Sequence, residues 1–273
     1  MVVNRSLHGV VVNIGFLLWI CYGVAIMEEG FHVSIKAEEL TQWMGVPITN
    51  SLLMSWVVVF LLIFLAFLIK RNTKLVPGKF QIVIETLIGG VQKFVAESLE
   101  SEVLATRFTP FFISLFLFIL IGNWLEFIPG VESIVFHTAE GETVSLLRAI
   151  NTDLNIPLAL AIIAFITIEV TGITVLGFWG YAGKFFNFHS PVNLFVGLLE
   201  LLSETIRLIS FSFRLFGNIF AGSVLVGIIT FLAPYAIPAP FMLFEVFVGL
   251  IQAAVFALLT LFFIKLAIMK TGH

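Results

Sequence analysis

Long apolar stretches separated by short polar segments run through the whole sequence of 273 residues. A helix needs about 20 mostly apolar residues to cross a bilayer. The predicted spans are Leu7–Met27, Leu52–Ile69, Phe108–Phe127, Leu154–Phe178, Pro191–Leu232 and Phe241–Met269. The first is either a retained signal-anchor helix, which we favour, or a cleaved signal peptide. The pattern therefore predicts an all-α integral membrane protein with five to six membrane helices.

The last two spans are too long for upright helices. Pro191–Leu232 is about twice as long as one perpendicular crossing requires. We expect both spans to be strongly tilted, or to lie partly along the membrane plane within a protein interface.

The charged residues between the spans predict the orientation. Basic residues without an intervening acid follow the second span: Lys70, Arg71, Lys74 and Lys79. The positive-inside rule assigns this segment to the cytoplasm, so the loop after the third span, with Glu132, Glu140 and Glu142, lies outside. The basic residues at the end of the last span put the C-terminus in the cytoplasm. Residues 80–102 are expected to form an amphipathic helix on the cytoplasmic membrane surface.

Composition excludes a soluble protein and offers few sites for cofactors. The chain is 60% hydrophobic and 11% charged, so it cannot cover itself with a polar surface. No phosphate-loop motif occurs, so we expect no bound nucleotide, and no basic tail or face suits nucleic acid. Cys21 is the single cysteine and the histidines are scattered, so we predict no metal site, no cofactor and no catalytic residue. No internal repeat is evident, and we expect a single membrane domain over residues 1–273.

Polar residues mark one face of the fifth span. They are Glu200, Glu204, Arg207, Arg214 and Asn218, and on a helix they fall within roughly 80° of one another. The presence of Glu200, Glu204 and Arg207 in an apolar span is explained if their side chains form ion pairs with one another. Arg214 is different, because the nearest acid on its helix is ten residues away, about 15 Å along the axis. Its counter-charge must come from another helix or subunit, and a charge at this depth indicates function.

The sixth span carries two strongly polar side chains in its apolar part, Glu245 and Gln252. A glutamate at this depth suits a proton carrier, whereas a lone glutamine is also explained by a helix–helix hydrogen bond. Polar residues at the outer ends of the third and fourth spans line an aqueous vestibule or cap helix ends. These are Asn123, Glu126, Asp153 and Asn155. A short inner loop with Lys184 is predicted after the fourth span. Glu169, inside that span, is expected to pair with Lys184 or with a polar group of the tilted helices.

Two classes of membrane protein are compatible with charged residues inside the spans. A secondary transporter would show internal repeats and a broken helix near Arg214, and the sequence shows neither. An accessory membrane subunit of a redox pump would use Glu200, Glu204 and Arg207 as a proton wire. Association with a ring of small hairpin subunits would distinguish these two classes from a third, in which Arg214 faces such a ring.

Several motifs in order resemble those of subunit a of the F-type ATP synthase. They are VPGKFQ at 76–81, FLFILIGNWLEFIPG at 116–130, NTDLN at 151–155, ELLSETIRLISFSFRLFGNIFAG at 200–222 and IQAAVFALLTLFFIKLA at 251–267. The resemblance extends from about residue 45 to the C-terminus. The signal-like segment 1–30 departs from the shorter enterobacterial pattern.

The resemblance implies a non-catalytic stator subunit that translocates protons beside a rotating c-ring. Its two offset half-channels serve a carboxylate on each c subunit. Expected partners are the c-ring, the b-subunit peripheral stalk and the lipid bilayer. The expected location is the cell inner membrane, as a multi-pass protein with a cytoplasmic C-terminus. Proton or sodium coupling is left open.

Individual residues match family positions. Arg214 matches the essential arginine, Gln252 its glutamine partner on the last helix, and Asn218 the asparagine one turn further on. Glu200 matches a position of the cytoplasmic half-channel, and Glu204 lies on the same polar face.

Ser223 and Glu245 match the outer half-channel, where family members often hold an acid and a histidine. In this chain Ser223 stands where one of these ionisable residues is expected. The vestibule candidates match as well: Asn123, Glu126, Asp153 and Asn155.

Overall fold

The computed structural model describes residues 39–43, 46–127, 135–137, 143–185, 191–233 and 237–269. The α-helices in this part are α1 Asn50–Asn72, α2 Lys79–Leu99, α3 Glu102–Leu125, α4 Asn155–Leu176, α5 Phe178–Phe185, α6 Pro191–Leu232 and α7 Pro238–Ile268. The strands are β1 Glu39–Trp43, β2 Val46–Thr49, β3 Val135–His137 and β4 Thr143–Ser145, with a 3₁₀ turn at Ile150–Thr152. Five helices of the described chain, α1, α3, α4, α6 and α7, are long and apolar enough to cross a membrane. The prediction of an all-α integral membrane protein is confirmed.

The predicted second to sixth spans correspond to these five helices. The predicted first span and the acids of the outer loop lie outside the described residues. The third span begins at Glu102 rather than at Phe108 and continues through Pro110. Ser101 explains the early start, because its Oγ accepts a hydrogen bond from the Leu104 amide at 3.4 Å, as a helix cap does.

A short helix, α5, replaces the inner loop that was predicted after the fourth span. Gly177 separates α4 from α5 with φ +77°, a conformation that side chains with a Cβ atom rarely adopt. The chain can therefore turn within one residue and start a new helix at Phe178. As a consequence Lys184 lies on a helix and not on a loop.

Two short antiparallel hairpins, β1–β2 and β3–β4, were not predicted. Both lie outside the spans, where the sequence has no long run of alternating residues. β2 leads directly into α1, and Thr49 Oγ1 accepts a hydrogen bond from the Leu52 amide at 3.3 Å. The first hairpin therefore ends in a helix cap.

The predicted amphipathic segment forms α2. Val95, Ala96 and Leu99 are its buried residues. Glu100, in the left-handed conformation with φ 54°, ends the helix. Lys265 Nζ lies 2.8 Å from Glu100 Oε1, and this hydrogen bond holds the pKa of the Glu100 carboxyl below its usual value. The position of α2 on the membrane surface stays a prediction.

The described chain forms two compact units. The first contains residues up to 58, Leu120–Ile156 and Phe216–Ile251, and the second contains Val59–Ile119, Pro157–Leu215 and residues from 252 onwards. The single membrane domain stays a prediction.

The first unit has an unusually polar interior. Its buried apolar residues include Met54, Val58 and Ile150. Its buried polar residues are Asn50, Ser51, Ser55, Asn123, Asn151, Thr152, Asp153, Thr230 and Glu245. Since buried polar groups are costly unless they are hydrogen-bonded, the contacts of these side chains matter for function.

The second unit has one continuous apolar core. It contains Val95, Ala96, Leu99, Ala105, Phe108, Ile168, Tyr181, Phe185, Leu261, Ile264 and Ala267. Helices α2, α3, α4, α5 and α7 contribute to this core. Gly172 lies so close to the Tyr181 ring that a Cβ atom at this glycine would overlap it. The core therefore fixes α5 against α4.

Helices α6 and α7 contain 42 and 31 residues. At about 1.5 Å per residue both exceed the roughly 30 Å hydrocarbon core of a bilayer. Their lengths agree with the expectation of tilt, and the tilt itself stays a prediction.

Candidate functional site

In the second unit, α6 and α5 bring together a group of charges, of which Glu200 is 37% exposed. Glu200 and Glu204 lie one turn apart on α6, and Lys184 lies on α5. Lys184 Nζ is 3.1 Å from Glu200 Oε1 and 3.8 Å from Glu204 Oε1. The side chains of Lys184 and Glu204 are only 10% and 4% exposed. We call Lys184, Glu200 and Glu204 the inner triad.

Within the described residues Arg207 forms no ion pair within 4 Å with Glu200 or Glu204, although its charge still acts on Glu204. The Arg207 guanidinium instead lies over the Phe263 ring, 4.0 Å from its centroid. A cation in this position is attracted by the face of the aromatic ring. Lys184, which was assigned to a loop, takes the place of Arg207 as the partner of the two carboxylates.

Glu169 and Tyr181 border the inner triad. The pKa of the Tyr181 phenol is raised by burial, and the negative charges of Glu204 and Glu169 raise it further. Within the described residues, Glu169 Oε1 and Tyr181 Oη are buried without a hydrogen-bond partner of good geometry. No described ion pair joins Glu169 to Lys184, whereas Glu169 lies close enough to Glu204, a polar group of α6, to act on it electrostatically.

Arg214 lies on the exposed face of α6. Its Nη2 donates a hydrogen bond to Ser210 Oγ at 3.3 Å. No carboxylate of the described residues lies within 4 Å of its guanidinium, since the described ion pairs belong to other residues. On the same helix Ile206, Ile209 and Phe213 are also exposed. The structure thus leaves a permanent charge on an apolar surface.

The predicted companions of Arg214 differ in exposure. Gln252 is buried on α7, whereas Asn218 is exposed on α6. Near Gln252, the Phe211 ring of α6 packs at 5.0 Å from the Phe256 ring of α7. The aromatic contact holds these parts of the two helices together.

In the first unit, Glu245 of α7 is buried and lies against Gly222 of α6. The Glu245 side chain is 5% exposed. A Cβ atom at position 222 would overlap its carboxylate, so the glycine makes room for the acid. Ser223 Oγ donates a hydrogen bond at 3.0 Å to Phe220 O on its own helix.

Asn123 ties the end of α3 to α7. Its Nδ2 donates to Gly249 O at 3.0 Å, and its Oδ1 accepts from Asn151 Nδ2 at 2.5 Å. Next to it, Trp124 Nε1 donates to Val246 O at 3.1 Å. These bonds fix the part of α7 that carries Glu245. Since Asn123 is 1% exposed, its contacts are those of a packing residue.

The contacts of Asp153 are those of a helix cap. Its Oδ1 accepts from the Asn155 amide at 3.1 Å, where α4 begins. Its Oδ2 accepts from Ser51 Oγ of α1 at 2.9 Å. Asn155 is exposed and Glu126 is half-buried. These contacts of Asp153 fit the alternative that it caps a helix. The role of Asn123, Glu126, Asp153 and Asn155 in an aqueous vestibule stays a prediction.

Alanine at position 222 provides a direct test of the Glu245 pocket. The new methyl group would displace the carboxylate, which is the end of a flexible side chain, while the helices stay in place. For the proton-coupled ATP synthesis that the resemblance implies, we expect Gly222→Ala to assemble normally and to lower the rate by up to about 100-fold, as misplaced reacting groups do. The measurement is ATP synthesis by membrane vesicles.

Gly90→Ala is the control for this substitution. Gly90 lies on α2 with nothing within 4 Å of its added Cβ, so this variant should keep full activity. Normal synthesis in the assembled Gly222→Ala complex would contradict the importance of the carboxylate position.

The structure defines a class of protein: a multi-pass membrane protein with ionisable groups buried along its membrane helices. In the described residues no cluster of three or more histidine, cysteine or acidic side chains is suited to a metal ion. The family model described as ATP synthase A chain matches residues 52–265. The chain belongs to this family.

Individual relatives agree with the family match. The chain is 32% identical over 241 residues to ATP synthase subunit a of Mycobacterium marinum, covering 86% of this chain and 93% of the relative. It is 31% identical over 251 residues to ATP synthase subunit a of Mycobacterium leprae, covering 90% and 97%. For ATP synthase subunit a of Moorella thermoacetica the identity is 32% over 230 residues, covering 84% and 95%.

Sequence reasoning found the charged residues of α6 and α7 but missed several of their neighbours. Lys184 was assigned to a loop, and the contact of Gly222 with Glu245 was not predicted. Ser51 and Asn151 were not singled out. A lone lysine just before a span with two buried acids was the signal that could have identified Lys184.

Proposed function

We propose that this chain is the proton-translocating stator subunit of an F-type ATP synthase, placed against a rotating c-ring. The observation that supports this proposal is the exposed position of Arg214 on α6. A mid-membrane arginine costs about 2.5–3.5 kcal/mol on insertion scales. Since no described carboxylate of the chain neutralises it, an acid of a neighbouring subunit is the natural partner. This proposal assigns no catalytic chemistry to the chain itself.

Arg214 acts in this mechanism as a fixed counter-charge for the c-ring carboxylates. A deprotonated carboxylate in lipid is too costly to move, but opposite a guanidinium its charged form is stabilised. Arginine keeps its charge at every physiological pH. It therefore holds the carboxylate without accepting its proton, and it prevents a direct proton leak.

Protons reach and leave the ring carboxylate through two half-channels, each open to one side. The inner half-channel uses Glu200 and Glu204. The outer one uses Glu245, with Ser223 next to Gly222, which lies against the Glu245 carboxylate. The group Asn123, Glu126, Asp153 and Asn155 lies at its entrance. Gln252 and Asn218 shape the surroundings of Arg214. A membrane potential supplies about 2.3 kcal/mol per charge for each 100 mV, and a continuous pore would dissipate it.

The same proposal assigns partners and location. The chain would lie in the cell inner membrane with its C-terminus in the cytoplasm, beside the c-ring and the b-subunit peripheral stalk.

ATP-driven pumping by vesicles with the purified complex tests the proposal. We expect ATP addition to acidify the vesicle interior in sodium-free buffer, and the complex to contain a ring of small hairpin subunits. A protonophore should abolish the signal. Pumping that requires sodium would contradict proton coupling, and a complex without such a ring would contradict the rotary mechanism.

A further inference from the structure

The inner triad contains a cation that the mechanism above does not use. Lys184 contacts both Glu200 and Glu204 from α5, a helix outside the membrane spans. Glu169 and Arg207 also act electrostatically on Glu204. Three acids therefore share the site with two cations, and Arg207 lies over Phe263. Lys184 is the cation within 4 Å of the two carboxylates in the described chain.

The backbone places Lys184 there by a close helix contact. Gly197 of α6 lies against the carbonyl group of Phe185, and a Cβ atom at this glycine would collide with it. Glu200 and Glu204 follow Gly197 by three and seven residues, so all three lie on one face of α6. The residue before Phe185 is Lys184, so the same contact brings the ammonium group to both carboxylates.

Two aromatic residues of its own helix also lie beside the Lys184 side chain. Tyr181 and Phe185 pack edge to face with ring centroids 5.4 Å apart, and both belong to the apolar core. The Lys184 ammonium lies 5.9 Å from the centroid of each ring. The Lys184 side chain is only 10% exposed, so its ammonium group lies inside the site rather than in solvent.

We propose that Lys184 is a positioning residue of the inner half-channel. It holds the Glu200 and Glu204 carboxylates in place and offsets their mutual repulsion. Protons can then pass between these carboxylates and the cytoplasm without being retained on either carboxylate. The inference rests on the proposed function. It adds α5 to the elements that build the inner half-channel.

The test compares Lys184→Gln with Lys184→Arg in the assembled complex. Glutamine keeps a hydrogen-bond donor but removes the charge, whereas arginine keeps the charge. We expect Lys184→Gln to lower ATP-driven proton pumping by at least about tenfold, the loss typical of a charge-assisted hydrogen bond. Lys184→Arg should restore most of the activity. Restoration by a second cation would not be expected if the residue only filled space.

Lys93→Gln is the matched control. Lys93 is exposed on α2 and pairs only loosely with Glu97, with 4.0 Å between Nζ and Oε1. We expect this variant to pump normally. Normal pumping by Lys184→Gln would overturn the proposal, and so would equal losses in the glutamine and arginine variants. Failure of the glutamine variant alone to assemble would assign Lys184 to folding and would also overturn it.

Arg214→Ala, measured in the same vesicles, separates this inference from the proposed function. If Arg214→Ala keeps proton coupling, the proposed function fails. If Arg214→Ala loses coupling while Lys184→Gln pumps normally, only the role of Lys184 fails.

Discussion

Replacing Arg214 by alanine is expected to abolish proton-coupled ATP synthesis while the complex still assembles. The guanidinium lies on the exposed face of α6 with no described carboxylate within 4 Å. Its removal breaks few contacts inside the chain, so the fold should survive. A passing ring carboxylate would lose its counter-charge, a loss of about 3–5 kcal/mol when a buried charge is left unpaired. This corresponds to a decrease of at least about 100-fold in rate.

Arg214→Lys is expected to fail as well. Lysine lacks the planar fork of arginine and can lose its proton when it is desolvated. A neutral amine would neither stabilise the ring carboxylate nor block a leak. Arg71→Ala, at the exposed end of α1, is the control and should be normal. ATP synthesis by energised vesicles measures all three variants. Full activity of Arg214→Lys would mean that any cation suffices, and activity of Arg214→Ala would refute the counter-charge role.

The spans and the isolated charge could be predicted because they depend on local sequence. A run of apolar residues long enough for a bilayer forms a helix in any arrangement of its neighbours. α6 has the predicted bounds, Pro191–Leu232. Arg214 was identified because its own helix offers no acid within ten residues. Neither conclusion requires knowledge of which helices are in contact.

The partners of the polar residues could not be predicted, because they depend on tertiary contacts. Lys184 reaches Glu200 because α5 is a helix and because Gly197 lets it approach α6. The pattern of hydrophobic residues gave no indication of α5, which has only eight residues. The contact of Arg207 with an aromatic ring was missed for the same reason. Its aromatic partner, Phe263, lies on another helix.

Asn123 shows a second limit of sequence reasoning. A polar residue at the end of a span is compatible with an aqueous vestibule and with a buried hydrogen bond. The structure shows that its amide is bonded to Gly249 O and Asn151. Burial of a polar side chain is a property of the packing around it, which the spacing of residues along one helix cannot reveal.

Glu245→Gln is expected to block proton entry from the outer side. Glutamine has nearly the same shape, so the packing against Gly222 should persist, but it cannot take up and release a proton. Loss of a group that transfers protons typically lowers a rate by about 100-fold or more. We expect ATP synthesis driven by external acid to fall by this amount. Its dependence on the external pH should become flat.

Glu97→Gln is the control for the carboxyl-to-amide change. Glu97 is exposed on α2 and far in sequence from the α6 and α7 residues assigned to the half-channels, so this variant should behave like the parent. Glu245→Asp should retain part of the activity, since the carboxyl group remains but is shorter by one methylene group. An unchanged external-pH profile in Glu245→Gln would show that protons bypass this residue. Because Ser223 cannot ionise and donates its hydroxyl hydrogen to Phe220 O, the outer half-channel would then need a different acid.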